Sequence, residues 1–178
     1  MAIVFLFISF FNLNPMAQVW KCPNGKIEFN SNAPLEIINA KSSELRAVID
    51  PANGNFAFSV RNSSFRGFNS VLQEEHFHES YMESHRYDVS SFMGKIIEKI
   101  DFTKNGSFTI RAKGKLNVHG IERERIIQST LQIEGKKMSV KSAFTVPLVE
   151  HNISIPKLVH QKIAEEINIK INAEFVLQ

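Results

Sequence analysis

The chain ends on Ile167-Asn168-Ile169-Lys170-Ile171-Asn172-Ala173-Glu174-Phe175-Val176-Leu177, and this stretch decides the fold class. Its odd-numbered residues are apolar, and its even-numbered residues from Asn168 to Glu174 are polar. Successive side chains of a β-strand point to opposite faces, so the alternation predicts a strand with one buried and one solvated face. Such strands are typical of antiparallel sheets that pack one face on a core.

The same alternation returns along most of the chain. It predicts about ten short strands, and no internal repeat or long linker separates them. The dipeptide Asn105-Gly106 adds a strong hairpin-turn signal. Many regularly spaced antiparallel strands indicate either a sandwich or a barrel. The predicted strands are Lys26–Asn30, Leu35–Ala40, Leu45–Asp50, Asn55–Arg61, Ser91–Ile97, Ser107–Arg111, Leu116–His119, Ile127–Ile133, Met138–Val146 and Ile167–Leu177.

Two segments break the alternation. Phe68–Met82 lacks Gly and Pro and is predicted to form a helix, with Asn69 or Ser70 as its N-cap. Ile155–Ala164 is predicted to form a short helix near the C-terminus, with Pro156 in its first turn. The predicted architecture is therefore all-β, with one inserted helix and a short C-terminal helix.

Residues 1–17 differ from the rest of the chain. Met1–Phe11 is an apolar run, and no Lys, Arg, Asp or Glu occurs before Lys21. The run is too short for the roughly twenty helical residues that span a bilayer core, but it is typical of a secretory signal peptide with cleavage after Ala17. We therefore predict a signal peptide over 1–17 and one exported domain over 18–178, periplasmic or secreted and without stable membrane insertion.

The composition excludes several classes of protein. Charged residues make up 22% and hydrophobic residues 43%, which excludes a disordered chain. The net charge of +3 is a small excess spread along the chain, so no nucleic-acid partner is predicted. A single Cys excludes an internal disulfide framework and any multi-cysteine metal site. The fifteen Phe include several in the predicted signal peptide, and most of the others fall in predicted strands.

The sequence contains no Gly-x-Ser-x-Gly elbow, phosphate loop or paired-carboxylate constellation, so no enzyme, catalytic residue or cofactor is predicted. His76 and His78, with His85 nearby, form its one cluster of metal-ligand types. On a helix, His76 and His78 point about 200° apart and cannot share one ion, so we interpret them as part of a polar helix face. His119 precedes Gly120 at a strand end and is predicted to satisfy backbone groups in a turn.

Four groups of residues follow one another in the order and spacing of a known family. They are Ala33–Ile37 with Leu45–Asp50, Asn55–Phe58 with Phe65–Phe68, Leu72–Phe77 with Tyr81–Ser84, Tyr87 and Ser91–Ile96, and finally Gly114–Ile121. Together they extend over roughly residues 25–177 and resemble the YceI-like family of exported lipid-binding β-barrels, an extended relative of the lipocalin fold. The resemblance implies a lipocalin-like barrel that binds a long isoprenoid chain, such as a polyprenyl or quinone-like lipid, without any reaction.

A long isoprenoid tail needs apolar surface rather than catalytic groups. Apolar residues on the inward faces of the predicted strands are therefore predicted to line its cavity. These residues are Phe56, Phe58, Phe92, Phe108, Leu116, Phe144, Ile169, Ile171 and Phe175. Periodicity alone does not distinguish a hollow barrel from a filled one. Two alternatives thus stay open, namely a filled barrel that acts through its surface or as a homodimer, and a metal-dependent enzyme built on His76, His78 and His85.

Overall fold

The computed structural model describes residues 18–178, which contain eight antiparallel strands closed into a barrel. The strands are β1 (Trp20–Asn32), β2 (Ile37–Ile49), β3 (Asn55–Arg61), β4 (Val89–Ile96), β5 (Gly106–Val118), β6 (Ile121–Glu134), β7 (Lys137–Pro147) and β8 (Glu166–Leu177). Each strand pairs with its neighbours in sequence, and β8 pairs with β1 to close the barrel. The prediction of an all-β antiparallel barrel is confirmed, whereas the predicted signal peptide over 1–17 lies outside the described residues.

The two ends of the barrel differ. Because neighbouring strands are antiparallel, alternate connections lie at the same end. We call the end with the β1–β2 turn, the helical insertion between β3 and β4, and residues 148–165 between β7 and β8 the open end. At the opposite end, a group of almost fully buried side chains fills the interior, and we call this group the plug. The plug consists of Trp20, Leu131, Ile133, Met138, Ala173 and Phe175.

The barrel has fewer and longer strands than predicted. The predicted strands Leu35–Ala40 and Leu45–Asp50 are one strand, β2. Ser43 and Glu44 are both exposed between buried neighbours, so an extra residue breaks the alternation there without ending the strand. The two predicted strands on either side of Gly114 likewise form the single strand β5. The predicted number of strands was therefore wrong because irregularities within a strand resemble turns in the sequence.

The inserted helix is confirmed but is shorter than the predicted span of 68–82. Helix α1 is Val71–His76, and it continues as a π-helical segment, Phe77–Tyr81. Ser70 is the N-cap, and its Oγ accepts a hydrogen bond from the Gln73 backbone N–H at 3.2 Å. Such a cap satisfies one of the N–H groups that the first turn of a helix leaves without a partner.

The predicted C-terminal helix is a single 3₁₀ turn, Lys157–Val159, preceded by Pro156. Two flanking backbone groups bond to the β1–β2 region instead of to a helix. The Gln161 carbonyl accepts from the Leu35 N–H at 2.9 Å, and the Ala164 N–H donates to Ser31 Oγ at 2.9 Å. These contacts hold residues 157–164 across the open end of the barrel.

The Asn105-Gly106 dipeptide does not form the two-residue hairpin that the sequence predicted. Residues 97–105 connect β4 to β5. Asn105 Oδ1 accepts from the Gly135 N–H at 2.7 Å, so the side chain supports the neighbouring β6–β7 turn. A two-residue turn occurs instead at His119-Gly120, where φ is 52° and 73°, the positive values that a type I′ turn requires.

Candidate functional site

The barrel is hollow between the plug and the open end. The cavity has a volume of about 480 Å³, and all eight strands contribute side chains to its walls. This volume falls within the range of about 300–1,000 Å³ that small-molecule sites occupy. The hollow interior argues against the alternative of a filled barrel.

Most of the residues predicted to line a cavity face this one. They are Phe56, Phe58, Phe92, Leu116, Phe144, Ile169 and Ile171, and their contact with a lipid stays a prediction. Phe175 does not line the cavity, because it lies in the plug and its ring packs on Phe58 at 6.0 Å between centroids. Phe108 does not line it either, because it lies near the start of β5 at the closed end, packed against the core.

The sequence analysis missed a group of four aromatic rings at the open end. Phe29, Phe65, Phe68 and Phe77, which we call the mouth cluster, all line the cavity. The Phe29 and Phe77 rings are stacked with centroids 5.3 Å apart, and the Phe68 and Phe77 centroids are 5.0 Å apart. Phe29 belongs to β1 and Phe77 to the helical insertion, so the cluster fastens the insertion over the mouth of the cavity.

Phe77→Ala is expected to loosen the helical insertion while leaving the barrel folded. The change removes a half-buried ring that packs on three other Phe rings, which corresponds to roughly 1–3 kcal/mol of local stability. Amide hydrogen exchange of residues 71–81 should therefore become faster, with little change in strands β5–β8. Val71→Ala, on the exposed side of α1, is the matched control. Equal protection of residues 71–81 in both variants would show that the cluster does not hold the insertion.

The polar groups in the cavity wall are largely bonded to one another. Ser129 Oγ donates to Ser142 Oγ at 3.1 Å, and Ser142 Oγ donates to the Gln128 carbonyl at 3.2 Å. Nearer the open end, Asn62 Oδ1 accepts from Ser90 Oγ at 2.8 Å. Hydrogen-bonded hydroxyls of this kind can face an apolar ligand at little cost. The interior is thus suited to hydrocarbon.

Charged and strongly polar side chains lie at the mouth rather than deep in the cavity. Glu36 and Lys162 line this part of the wall, together with His76. Gln73 Nε2 donates to Glu36 Oε1, which ties α1 to the β1–β2 turn. A ligand with one polar end would therefore meet its hydrogen-bonding partners at the open end.

The histidines of the metal-site alternative do not converge. His76 faces the mouth of the barrel cavity, whereas His78 and His85 line a separate shallow pocket. Ser84 Oγ lies 3.0 Å from His78 Nδ1, and burial lowers the pKa of His78. Across residues 18–178, no group of three or more His, Cys, Asp or Glu is arranged to hold a metal ion.

His119 has the predicted role in its turn. Its Nδ1 donates to the His151 carbonyl at 3.1 Å, and its Nε2 lies 2.7 Å from Glu83 Oε2. The edge of the imidazole packs on the Tyr87 ring, with centroids 4.5 Å apart. The imidazole therefore fixes the β5–β6 turn against the segments that precede β4 and follow β7, and the backbone carbonyl that it satisfies lies outside its own turn.

His151 should make the fold sensitive to acid. The side chain is fully buried, its Nδ1 donates to the Ile121 carbonyl at 3.0 Å, and burial is the main cause that lowers its pKa below 6.5. Below about pH 6.5, His151 of the unfolded chain binds a proton that the folded chain excludes. The free energy of unfolding therefore falls as the pH falls, by up to about 1.4 kcal/mol per pH unit.

Urea titrations of wild type and His151→Asn between about pH 7.5 and pH 5 measure this effect. Asn keeps a donor near the position of Nδ1 but does not titrate. The free energy of unfolding of the variant should therefore fall less than that of the wild type across this pH range. The control is His160→Asn, because His160 Nδ1 also donates to a carbonyl, that of Lys157, but from an exposed position. Identical pH profiles for wild type and the His151 variant would contradict the assignment.

A closed eight-stranded antiparallel barrel with an apolar cavity open at one end defines a lipocalin-like class of barrels with room for a ligand. Within this class, the chain belongs to the YceI-like family, because the family model of the YceI-like domain matches residues 24–175. No curated protein matches the sequence significantly. Within residues 18–178, we find no helix with the length and apolar character needed to cross a bilayer.

Solved structures share the fold at low sequence identity. A polyisoprenoid-binding domain from Saccharophagus degradans, implicated in plant cell wall breakdown, is 11% identical with a TM-score of 0.75, over 91% of this chain and 99% of that one. BcnA of Burkholderia cenocepacia is 15% identical with a TM-score of 0.69, over 84% and 95% of the two chains. The YceI protein of Campylobacter jejuni is 16% identical with a TM-score of 0.59, over 76% and 82%.

Proposed function

We propose that the barrel binds one long apolar lipid, of the isoprenoid or quinone-like type, and carries or sequesters it without a chemical step. The observation that carries the proposal is the cavity of about 480 Å³, whose wall is built mainly from Phe, Ile, Leu and Val and which ends at the plug. The inward hydroxyls of Ser129 and Ser142 bond to each other and to the backbone. The Saccharophagus degradans domain, described as polyisoprenoid-binding, supports the same ligand class.

The energetics favour a hydrocarbon tail. Each 100 Å² of apolar surface removed from water contributes about 2.5 kcal/mol, so a tail buried along the cavity can bind tightly without hydrogen bonds. The aromatic rings of the wall are large and rigid, so they can border a space that flexible aliphatic side chains would fill. A polar head group would lie at the open end, near Lys162 and Gln73.

Native mass spectrometry of residues 18–178, purified without detergent, tests the proposal. All eight strands lie within this span, so it contains the complete barrel. We expect a mass shift of one bound molecule, and organic extraction should release a lipid with an isoprenoid tail. An apo mass with no extractable lipid, together with no uptake of added geranylgeraniol or ubiquinone, would reject the function.

Export completes the proposal. It is supported by the apolar run Met1–Phe11 and the cleavage region that ends at Ala17. An exported carrier would hold lipid in the periplasm or outside the cell. N-terminal sequencing of the protein from cell fractions tests this point, and a cytoplasmic form that begins at Met1 would contradict it.

A further inference from the structure

Exposed apolar side chains are distributed unevenly over the barrel. The most exposed large hydrophobic residues of the described chain, between 58% and 94% accessible, are Leu35, Val71, Leu72, Val149 and Leu158. All five lie in the turns and helical segments of the open end. The exposed hydrophobic residues on or beside the strands, such as Met93 and Ile126, are at most 57% accessible. Exposed apolar residues that gather at one end of a protein indicate a binding surface.

These residues surround the mouth of the cavity. The Leu35 N–H donates to the Gln161 carbonyl at 2.9 Å, which places the β1–β2 turn beside the segment that carries Leu158. Asn69 Nδ2 donates to the Ile37 carbonyl at 2.8 Å, which places the start of α1 beside the same turn. Leu72, Val159 and Ile163 continue from this rim into the cavity wall. Apolar side chains therefore extend from the outer surface into the cavity, beside the polar groups of the mouth.

Basic groups flank the rim. Residues 151–164 contain Lys157, His160 and Lys162 but no Asp or Glu. Neither lysine forms an ion pair with another residue of the described chain. Acidic side chains on the neighbouring elements lie at the same end.

These acids outnumber the basic groups of the rim. Glu36 accepts from Gln73, and Glu74 Oε1 lies 3.4 Å from Arg66 Nη1. Glu75 on α1 and Glu165 and Glu166 before β8 also lie at this end. Contact of this rim with a bilayer would therefore be driven by its apolar side chains, with the lysines reaching head-group phosphates, rather than by net charge.

We propose that the open end docks on the surface of a lipid bilayer, with Leu35, Val71 and Leu158 inserted among the head groups and Lys157 and Lys162 against lipid phosphates. The inference rests on the proposed function and names the partner of its cavity mouth. A tail that passed from the bilayer to the barrel through water would expose its full apolar surface to the solvent. Docking lets the tail move from the hydrocarbon of the bilayer directly into the apolar cavity. The partner is a membrane surface rather than a protein, because the apolar rim encircles the route that a lipid must take.

Vesicle flotation of residues 18–178 tests the docking, and this span also removes the apolar run 1–11 from the measurement. The protein should float with vesicles of phosphatidylcholine. The triple variant Leu35→Ser, Val71→Ser, Leu158→Ser should bind at least tenfold more weakly, since each fully buried side chain contributes roughly tenfold or more. Lys157→Gln with Lys162→Gln should weaken binding less than the triple variant, because the lysines contact phosphates at the edge of the apolar contact.

The matched control is Val48→Ser, Met93→Ser, Ile126→Ser, three exposed apolar residues on the outer wall of the barrel. It should float like the wild type. A wild-type protein that does not float, or an equal loss in both triple variants, would overturn the docking. Native mass spectra of the same samples separate the two proposals. A lipid-filled wild type that stays off vesicles rejects docking alone, and a floating protein that never holds lipid rejects the carrier function alone.

Discussion

Gly94→Ala is expected to prevent normal folding or to lower the free energy of unfolding by at least about 3 kcal/mol. Gly94 on β4 pairs directly with Gly114 on β5, and the two backbones approach so closely that neither position has room for a side chain. A Cβ atom at Gly94 would lie 2.1 Å from the Lys113 carbonyl oxygen and 2.5 Å from Gly114 Cα. Both obstacles are backbone atoms, so rotation of a side chain cannot relieve the contact.

The loss should be cooperative, because the barrel closes only when every pair of neighbouring strands is formed. A total stability of 5–15 kcal/mol leaves little reserve for such a loss. Met93→Ala is the control, since Met93 is adjacent in β4 but points outward and is half exposed. Chemical denaturation of the three proteins gives the comparison, and expression of folded Gly94→Ala with wild-type stability would show that the strands can separate to admit a methyl group.

The same glycines show where the sequence was a poor guide to strand lengths. Alternation identified the inward and outward residues of most strands correctly, since it follows directly from the pleat of the chain. It failed where a residue interrupts the alternation without ending the strand. Gly114 has no apolar side chain to continue the inward row of β5, and the extra residue at Ser43-Glu44 shifts the row of β2. Only the pairing with a neighbouring strand shows that each of these strands continues.

Prediction of the site had a similar limit. Periodicity places a residue on the inward face, but it gives no height along the barrel axis. Phe58 and Phe175 therefore appeared equivalent, although one borders the cavity and the other fills the plug. The mouth cluster was harder still, because Phe29 and Phe77 are brought together only when the helical insertion folds over β1. Contacts between distant segments carry no local pattern in a single sequence.

Ser129→Leu with Ser142→Leu is expected to abolish lipid binding and to keep the fold. The two residues pair across β6 and β7, face the cavity at mid-height and bond to each other at 3.1 Å. Replacing both removes the donor and the acceptor of their mutual bond together, and the Gln128 carbonyl that loses the bond from Ser142 belongs to an exposed residue. The two leucines would project into empty space just above Leu131 of the plug, so stability should change by less than about 1.5 kcal/mol in either direction.

Unlike stability, the affinity for lipid should change strongly in the same double variant. The added side chains occupy volume that a tail would fill, and they stand in the middle of its path, so affinity should fall at least about tenfold. The control is Thr130→Leu with Lys141→Leu, because these residues form the adjacent pair on the same two strands and point outward. It adds leucines at the same height while leaving the cavity as it is.

The combination of stability and lipid content decides between a hollow barrel and a filled one. In a hollow barrel the inward leucines displace the ligand without straining the wall, so mass spectra lose the bound lipid while denaturation curves barely move. In a filled barrel the same leucines would overpack a dense core, which typically costs 1–3 kcal/mol, and there would be no lipid to lose. Destabilisation by the inward pair, with no lipid in the wild type, would therefore reject both the cavity and the carrier function that rests on it.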